Sequence, residues 1–369
     1  MNVNFHMGNN NQQESWEKYR NNELRGAAGA LASLGFSLDE VQPHISGERY
    51  LMSGKKLVLV GSRTKDHLKV IIKVSSREEG IREIESERNA RETLLHLRFA
   101  YYTFLSPEEI LYIRHGGYLI FITAFIEQEK TFLEHDVRNQ FNLALRAFKI
   151  QEGVHATTSS HARVIRNVFG IWGAEEYLSS FKEFKKISEG LYPGDEALRS
   201  ALGRASLFLH DNAKTIEQYC GFLTHTDFVP HNIRVHGGEI YLLDHTSLRF
   251  GNKHEAMARF LNFMLLYNRP LESAFLQYMR ENKTPEESLS LRLMRAYKIA
   301  FLLSFYVKSL ERTSGDLNTL TRARIVLWTR ALESVVGDES LADAVVEEYQ
   351  LKRDSLRSPE EKRRQEKLH

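Results

Sequence analysis

One stretch of this 369-residue chain narrows its possible folds more than any other: LTHTDFVPHNIRVHGGEIYLLDH, residues 223–245. A polar cluster, His225, Asp227 and Asn232, sits between apolar segments. Ile233 to Val235 reads as a short strand, His236-Gly237-Gly238-Glu239 as a turn, and Ile240 to Leu243 as a second strand. Asp244 stands immediately past it. The pattern places two carboxylates and a carboxamide at the mouth of one hairpin. Asp227 can orient and deprotonate a hydroxyl, while Asn232 and Asp244 can hold a divalent cation, which prefers hard oxygen ligands. Phosphoryl transfer needs those two roles, an oriented acceptor and a metal-held phosphate. The plainer alternative is a polar loop whose Asp and Asn cap turns.

The segment His225-Thr226-Asp227-Phe228-Val229-Pro230-His231-Asn232-Ile233, followed by a strand and Asp244, resembles the catalytic loop of the aminoglycoside phosphotransferase and choline kinase-like family. That family lies within the protein-kinase-like superfamily, and its pattern runs roughly His-Gly-Asp-Leu-His-Pro-Gly-Asn-Ile, strand, Asp. The resemblance implies Asp227 as catalytic base, Asn232 and Asp244 as magnesium ligands, and His225 as a supporting residue. It also implies ATP as phosphoryl donor. Several positions depart from the pattern. Thr226 and His231 replace both glycines, Val229 replaces the second His, and Thr246, Asn252 and Ala256 stand where relatives carry auxiliary acids. These departures leave room for a divergent substrate, a slow enzyme, or a nucleotide-binding module without turnover.

Upstream, residues 41–74 alternate as strands. In Val70-Ile71-Ile72-Lys73-Val74 a lysine follows an apolar run, and the resemblance makes Lys73 the phosphate-binding lysine. The plain reading is an edge lysine with its head in solvent. Such lysines pair with a helix glutamate in the superfamily. The helix expected over residues 79–99 offers Glu83, Glu85, Glu87 and Glu92. Glu92 is the first choice because it precedes Leu94, Leu95 and Leu97, and Glu87 is the alternative. No full Gly-x-Gly-x-x-Gly is present, so a phosphate-covering turn falls to Ser46-Gly47 or Ser53-Gly54, with Ser46 and Gly47 favoured. After the hairpin of residues 110–126, Glu127 begins a polar connector, which the resemblance makes the hinge that receives adenine.

The remainder reads as helix, with candidates over 137–152, 160–169, 174–189, 195–213, 254–267, 271–281, 285–311 and 317–336. The expectation is an α+β, two-lobed protein-kinase-like fold, with a small antiparallel sheet lobe and a large, mainly helical lobe. The expected layout is a disordered tail over 1–15, a small lobe with an extra helix over 16–127, a helical lobe with the catalytic loop over 128–340, and a charged C-terminal helix or tail over 341–369. A formal charge of +2 gives no global drive toward nucleic acid or anionic membrane. One cysteine, Cys220, excludes an internal disulfide and suits the cytoplasm. There is no secretory signal pattern and no run of apolar residues long enough to span a membrane. His155 and His161 have no cysteine partner and lack helical metal spacing, so no zinc site is expected. The acceptor expected is a hydroxyl-bearing small molecule. A protein substrate ranks lower, since no His-Arg-Asp motif is present.

Overall fold

A computed structural model describes residues 16–42, 56–97, 105–154, 159–357 and 362. The chain divides into two compact units, residues 1–81 with 109–123, and residues 82–108 with 124–369.

The first unit is built on a five-stranded sheet in the order β1-β2-β3-β5-β4. The strands are β1 (Phe36–Leu38), β2 (Leu57–Arg63), β3 (Lys69–Ser75), β4 (Glu109–His115) and β5 (Tyr118–Ala124). Period-two alternation divides β3 into two faces. Val70, Ile72 and Val74 are fully buried with Leu57, Leu59 and residues Tyr19, Ala27 and Leu31 of helix α1 (Trp16–Ser33). Lys69, Ile71 and Lys73 point to the other face. Helix α1 is pinned to the chain after β3 because buried Glu23 accepts bonds from Ser76 N at 2.6 Å and Ser76 Oγ at 2.8 Å.

The first strand forms at 36–38, ahead of the stretch from residue 41 expected to hold the strands, because Gly35 (φ +80°) turns the chain out of α1 directly into the sheet. Gln42 then uses its carboxamide as a substitute strand rung, donating to Val60 O and accepting from Val60 N, both at 2.8 Å. Residues 43–45 lie outside the described residues. Gly61 lies inside β2 opposite Leu38 and Val70. A Cβ there would stand 2.3 Å from Ser37 O, so only glycine admits β1 so closely.

The second unit is mainly helical. Helix α2 (Glu78–His96) belongs to it from Arg82 onward. It further contains α3 (Val137–Glu152), α4 (Ser159–Val168), α5 (Ala174–Leu191), α6 (Glu196–Asp211) and α7 (Ala213–Gln218). After the ribbons described below come α8 (Glu255–Tyr267), α9 (Arg269–Asn282), α10 (Pro285–Ser309), α11 (Gly315–Gly337) and α12 (Asp343–Leu356). Helix α10 starts at a capping box on Thr284 and Glu287, with Pro285 at its first position. It is buried along most of its length and packs on α5, α8 and α11, which makes it the axis of this unit. Among the described residues no helix is long and apolar enough to cross a membrane.

Candidate active site

Residues 222–251 fold as two nested antiparallel ribbons. The outer pair is β6 (Phe222–His225) with β9 (Leu248–Gly251), and the inner pair is β7 (Ile233–His236) with β8 (Glu239–Leu242). The inner hairpin closes through Gly237 (φ +57°) and Gly238 (φ +76°), two left-handed positions that glycine occupies without steric cost. Nesting forces the two connecting loops together. Thr226 N donates to Ser247 O at 2.7 Å, and Leu243 N donates to Asn232 O at 2.9 Å. Asp227 and Asn232 lie on one connection and Asp244 on the other, so residues 17 positions or less apart in sequence share one small volume.

Each side chain there is held. Asn232 Nδ2 donates to Asp227 O at 2.9 Å and to Asp227 Oδ2 at 3.2 Å. Both are pure acceptors, so the amide orientation is fixed and Asn232 Oδ1 takes no part in the contact. Asp244 has left-handed backbone, φ 57° and ψ 65°. Its carboxylate accepts from Thr246 Oγ1, and from Ser247 Oγ at 3.0 Å. His225 is fully buried, and its Nε2 lies 3.1 Å from both Leu243 O and Asp244 O. Two carbonyls can only accept, so the proton is on Nε2 and the ring clamps the backbone that presents Asp244. Burial holds the His225 pKa below its usual value, against the pull of Asp244 and Asp227.

Neither replaced glycine is needed for this geometry. Thr226 and His231 do not have positive φ, and the loop turns instead through a 3-10 segment, Pro230–Asn232. Ala256 is buried, with its N–H donating to Thr224 Oγ1 at 3.2 Å. Asn252 is equally buried and bonds Ile216 O and Ser290 Oγ, both at 3.1 Å. Thr246 alone of the three auxiliary positions touches Asp244.

No family model matches the sequence, and no curated protein sequence matches it significantly. Solved structures do. Aminoglycoside phosphotransferase APH(4)-Ia aligns with a TM-score of 0.54 at 13% identity, covering 88% of this chain and 100% of that one. Amicoumacin kinase hAmiN, in complex with AMP-PNP, Ca2+ and Ami, aligns at 0.54 and 13%, covering 85% and 92%. An ethanolamine kinase of Plasmodium vivax aligns at 0.52 and 13%, covering 82% and 83%. The chain has the aminoglycoside phosphotransferase fold. This is the two-lobed kinase-like architecture expected from the sequence, in a divergent chain.

On the phosphotransferase fold the remaining expected residues take these places. Lys73 lies on β3 of the first unit, in register with Val58. On α2, the buried stripe is Ile84, Glu87, Arg91 and Leu94. Glu87 is 3% exposed, whereas the Glu92 side chain is 40% exposed and ion-paired with Arg88 at 2.5 Å. Of the leucines after Glu92, Leu94 is buried but Leu95 is 65% exposed. Ser46 and Gly47 lie outside the described residues. Glu127 O accepts from His236 Nδ1 at 2.7 Å, and Glu127 lines a polar cavity of about 980 Å³ together with His236, Arg146 and Asn139. His155 lies outside the described residues, and among those described no group of three or more His, Cys, Asp or Glu side chains is placed to hold a metal. Burial pushes the Cys220 thiol up, away from nucleophilic use.

Sequence reading missed the charges beneath the loop. Arg259 of α8 donates from Nε to Asp227 Oδ1 at 2.8 Å. Burial alone would raise the Asp227 carboxyl, but Arg259, with smaller help from His231, His225 and Lys298, holds it well below the usual carboxylate range. Deeper, fully buried Glu255 accepts from Tyr177 OH at 2.7 Å, Lys298 Nζ at 3.3 Å, and Arg249 through Nε at 3.0 Å and a second nitrogen. Arg249 also lies over the Trp172 ring at 3.7 Å. Isolated charges at 249, 255, 259 and 298 carry no local signature. Only helix packing shows that they converge.

Proposed function

We propose that this chain transfers the γ-phosphoryl group of ATP to a hydroxyl of a small molecule, in a magnesium-dependent reaction. The observation that carries this reading is the Asn232 clamp. Its Nδ2 fixes Asp227, its peptide carbonyl is bonded to Leu243 N, and Asp244 follows at once. Base and metal donors are therefore preorganised as one rigid unit. The phosphotransferase fold supports the same reading, and the structural neighbours named above include kinases of amicoumacin and ethanolamine.

The donor set fits magnesium. Asn232 Oδ1 and the Asp244 carboxylate are hard oxygens, and magnesium takes one or two such protein donors beside phosphate oxygens and water. When bound, the ion neutralises charge on the transferred phosphoryl group. Asp227 is ionised at neutral pH and orients the acceptor hydroxyl. As the hydroxyl oxygen bonds to the γ-phosphorus, the bond from that phosphorus to the β,γ-bridging oxygen breaks. The hydroxyl proton passes to Asp227, and ADP leaves. A carboxylate of low basicity suffices because the proton moves as the new P–O bond develops. We assign the phosphate-binding role to Lys73 and the helix-acid role to Glu87 rather than Glu92, since Glu87 is the buried acid of α2.

Replacing Asp227 with Asn tests the reading. Turnover should fall by about 10²-fold or more while nucleotide affinity changes little. Equal turnover in both proteins defeats the assignment. One observation favours a second reading, a nucleotide-binding module without turnover: Arg259 already occupies Asp227 Oδ1. That reading requires Mg-ATP binding with no acceptor-dependent ADP release from any hydroxyl compound.

A further inference from the structure

The ion pair at the base also bears on what the acceptor is. Arg259 spends only Nε on Asp227. Its Nη1 and Nη2 have no hydrogen-bond partner among the described residues, and neither is sealed from solvent. A guanidinium held through Nε keeps its end-on fork, two parallel N–H donors that match the oxygens of a carboxylate or phosphate. The other cations near the base do not offer this. Lys298 and Arg249 are both ion-paired with Glu255. Arg259 is the leading positive charge acting on Asp227.

An ammonium-rich acceptor brought to Asp227 would meet the guanidinium of Arg259 beside it. An acceptor with an acid group a few bonds from its hydroxyl would place that group on Arg259 while the hydroxyl faces Asp227.

We propose that the acceptor is a small anion, a hydroxy-carboxylate or a hydroxyl-bearing phosphate ester, whose acid group is held by Nη1 and Nη2 of Arg259. The proposal rests on the phosphotransferase reading of the same site, and its test separates the two. The full chain, loaded with AMP-PNP and Mg2+, is titrated by calorimetry with four compounds on one carbon skeleton: glycerate, glycerol phosphate, glycerol and aminopropanediol. ADP release with ATP is followed in parallel. At least one anion should bind about tenfold or more tighter than glycerol, the size of effect of one charge-assisted fork. Which anion wins distinguishes carboxylate from phosphate. Arg259→Gln should bring the ratio to near one, and Arg259→Lys, which keeps the charge and the pairing with Asp227, should retain part of it. Melting curves of both variants separate this from loss of fold.

Equal affinity across the series, preference for aminopropanediol, no measurable binding of either anion, or an unchanged ratio in Arg259→Gln overturns the proposal. Anion preference without ADP release from any member instead defeats the phosphotransferase reading and leaves the anion site standing.

Discussion

Glu255→Gln is the sharpest test of how the second unit is held together. The wild-type carboxylate is fully buried and accepts bonds from Arg249, Lys298 and Tyr177. Glutamine keeps the volume but brings an NH2 group against three donors and removes the carboxylate that pairs with both Arg249 and Lys298. Breaking a buried ion pair from one side costs about 3–5 kcal/mol. Lys298 limits the loss. Burial already holds its pKa at about 8, against the pull of Glu255, and without that pull it sheds its proton near neutrality. We therefore expect about 3 kcal/mol at pH 7, the lower end of that range. The pH dependence has a definite sign. Between about 8 and its ordinary 10.5 the unfolded chain binds the Lys298 proton and the folded chain does not, so wild-type stability gains from this group as pH rises through that window. The penalty of Glu255→Gln should shrink at pH 9, where Lys298 is largely neutral in the wild type. Urea unfolding followed by tryptophan fluorescence at both pH values measures this, with Trp172 seated on Arg249 as reporter. A loss under about 1 kcal/mol at pH 7, or one that does not shrink at pH 9, refutes the reasoning.

Burial depresses the His254 pKa to about 3 from 6.5, and both its ring nitrogens are buried without a hydrogen-bond partner among the described residues. Below pH 6.5 the unfolded chain takes up a proton that the folded chain refuses, so stability falls with pH down to about 3, and His254→Phe should flatten that acid limb in unfolding curves. Gly238→Val forces a β-branched residue into a left-handed position and should cost about 1–2 kcal/mol. Its melting temperature would drop, and an unchanged value would show that the hairpin turn adapts. Asp244→Ala should weaken Mg-nucleotide binding more than metal-free nucleotide binding. A magnesium titration with unchanged dependence would remove Asp244 from the site.

Much of the centre was legible because it is local. His225, Asp227, Asn232 and Asp244 fall within one polar–apolar alternation, and the Gly237-Gly238 turn sets the register that brings them together. Strand periodicity at 70–74 and the capping box at Thr284 likewise depend on neighbours in sequence. The sequence alone thus determined the hairpin, the polar residues carried by its loops, and an α+β chain with a small sheet and many helices. Tertiary structure decided what depends on packing between distant segments. The buried face of α2 passes through Glu87, not Glu92, because burial follows what lies against the helix rather than the nearest leucines. Gly61 sits inside β2, between β1 and β3, where a Cβ would strike Ser37 O of β1. Asp227 Oδ1 accepts from Arg259, 32 residues away, because α8 lies beside the loop. Charge pairing of this kind acts through space over a few ångströms, so no spacing along the chain can announce it.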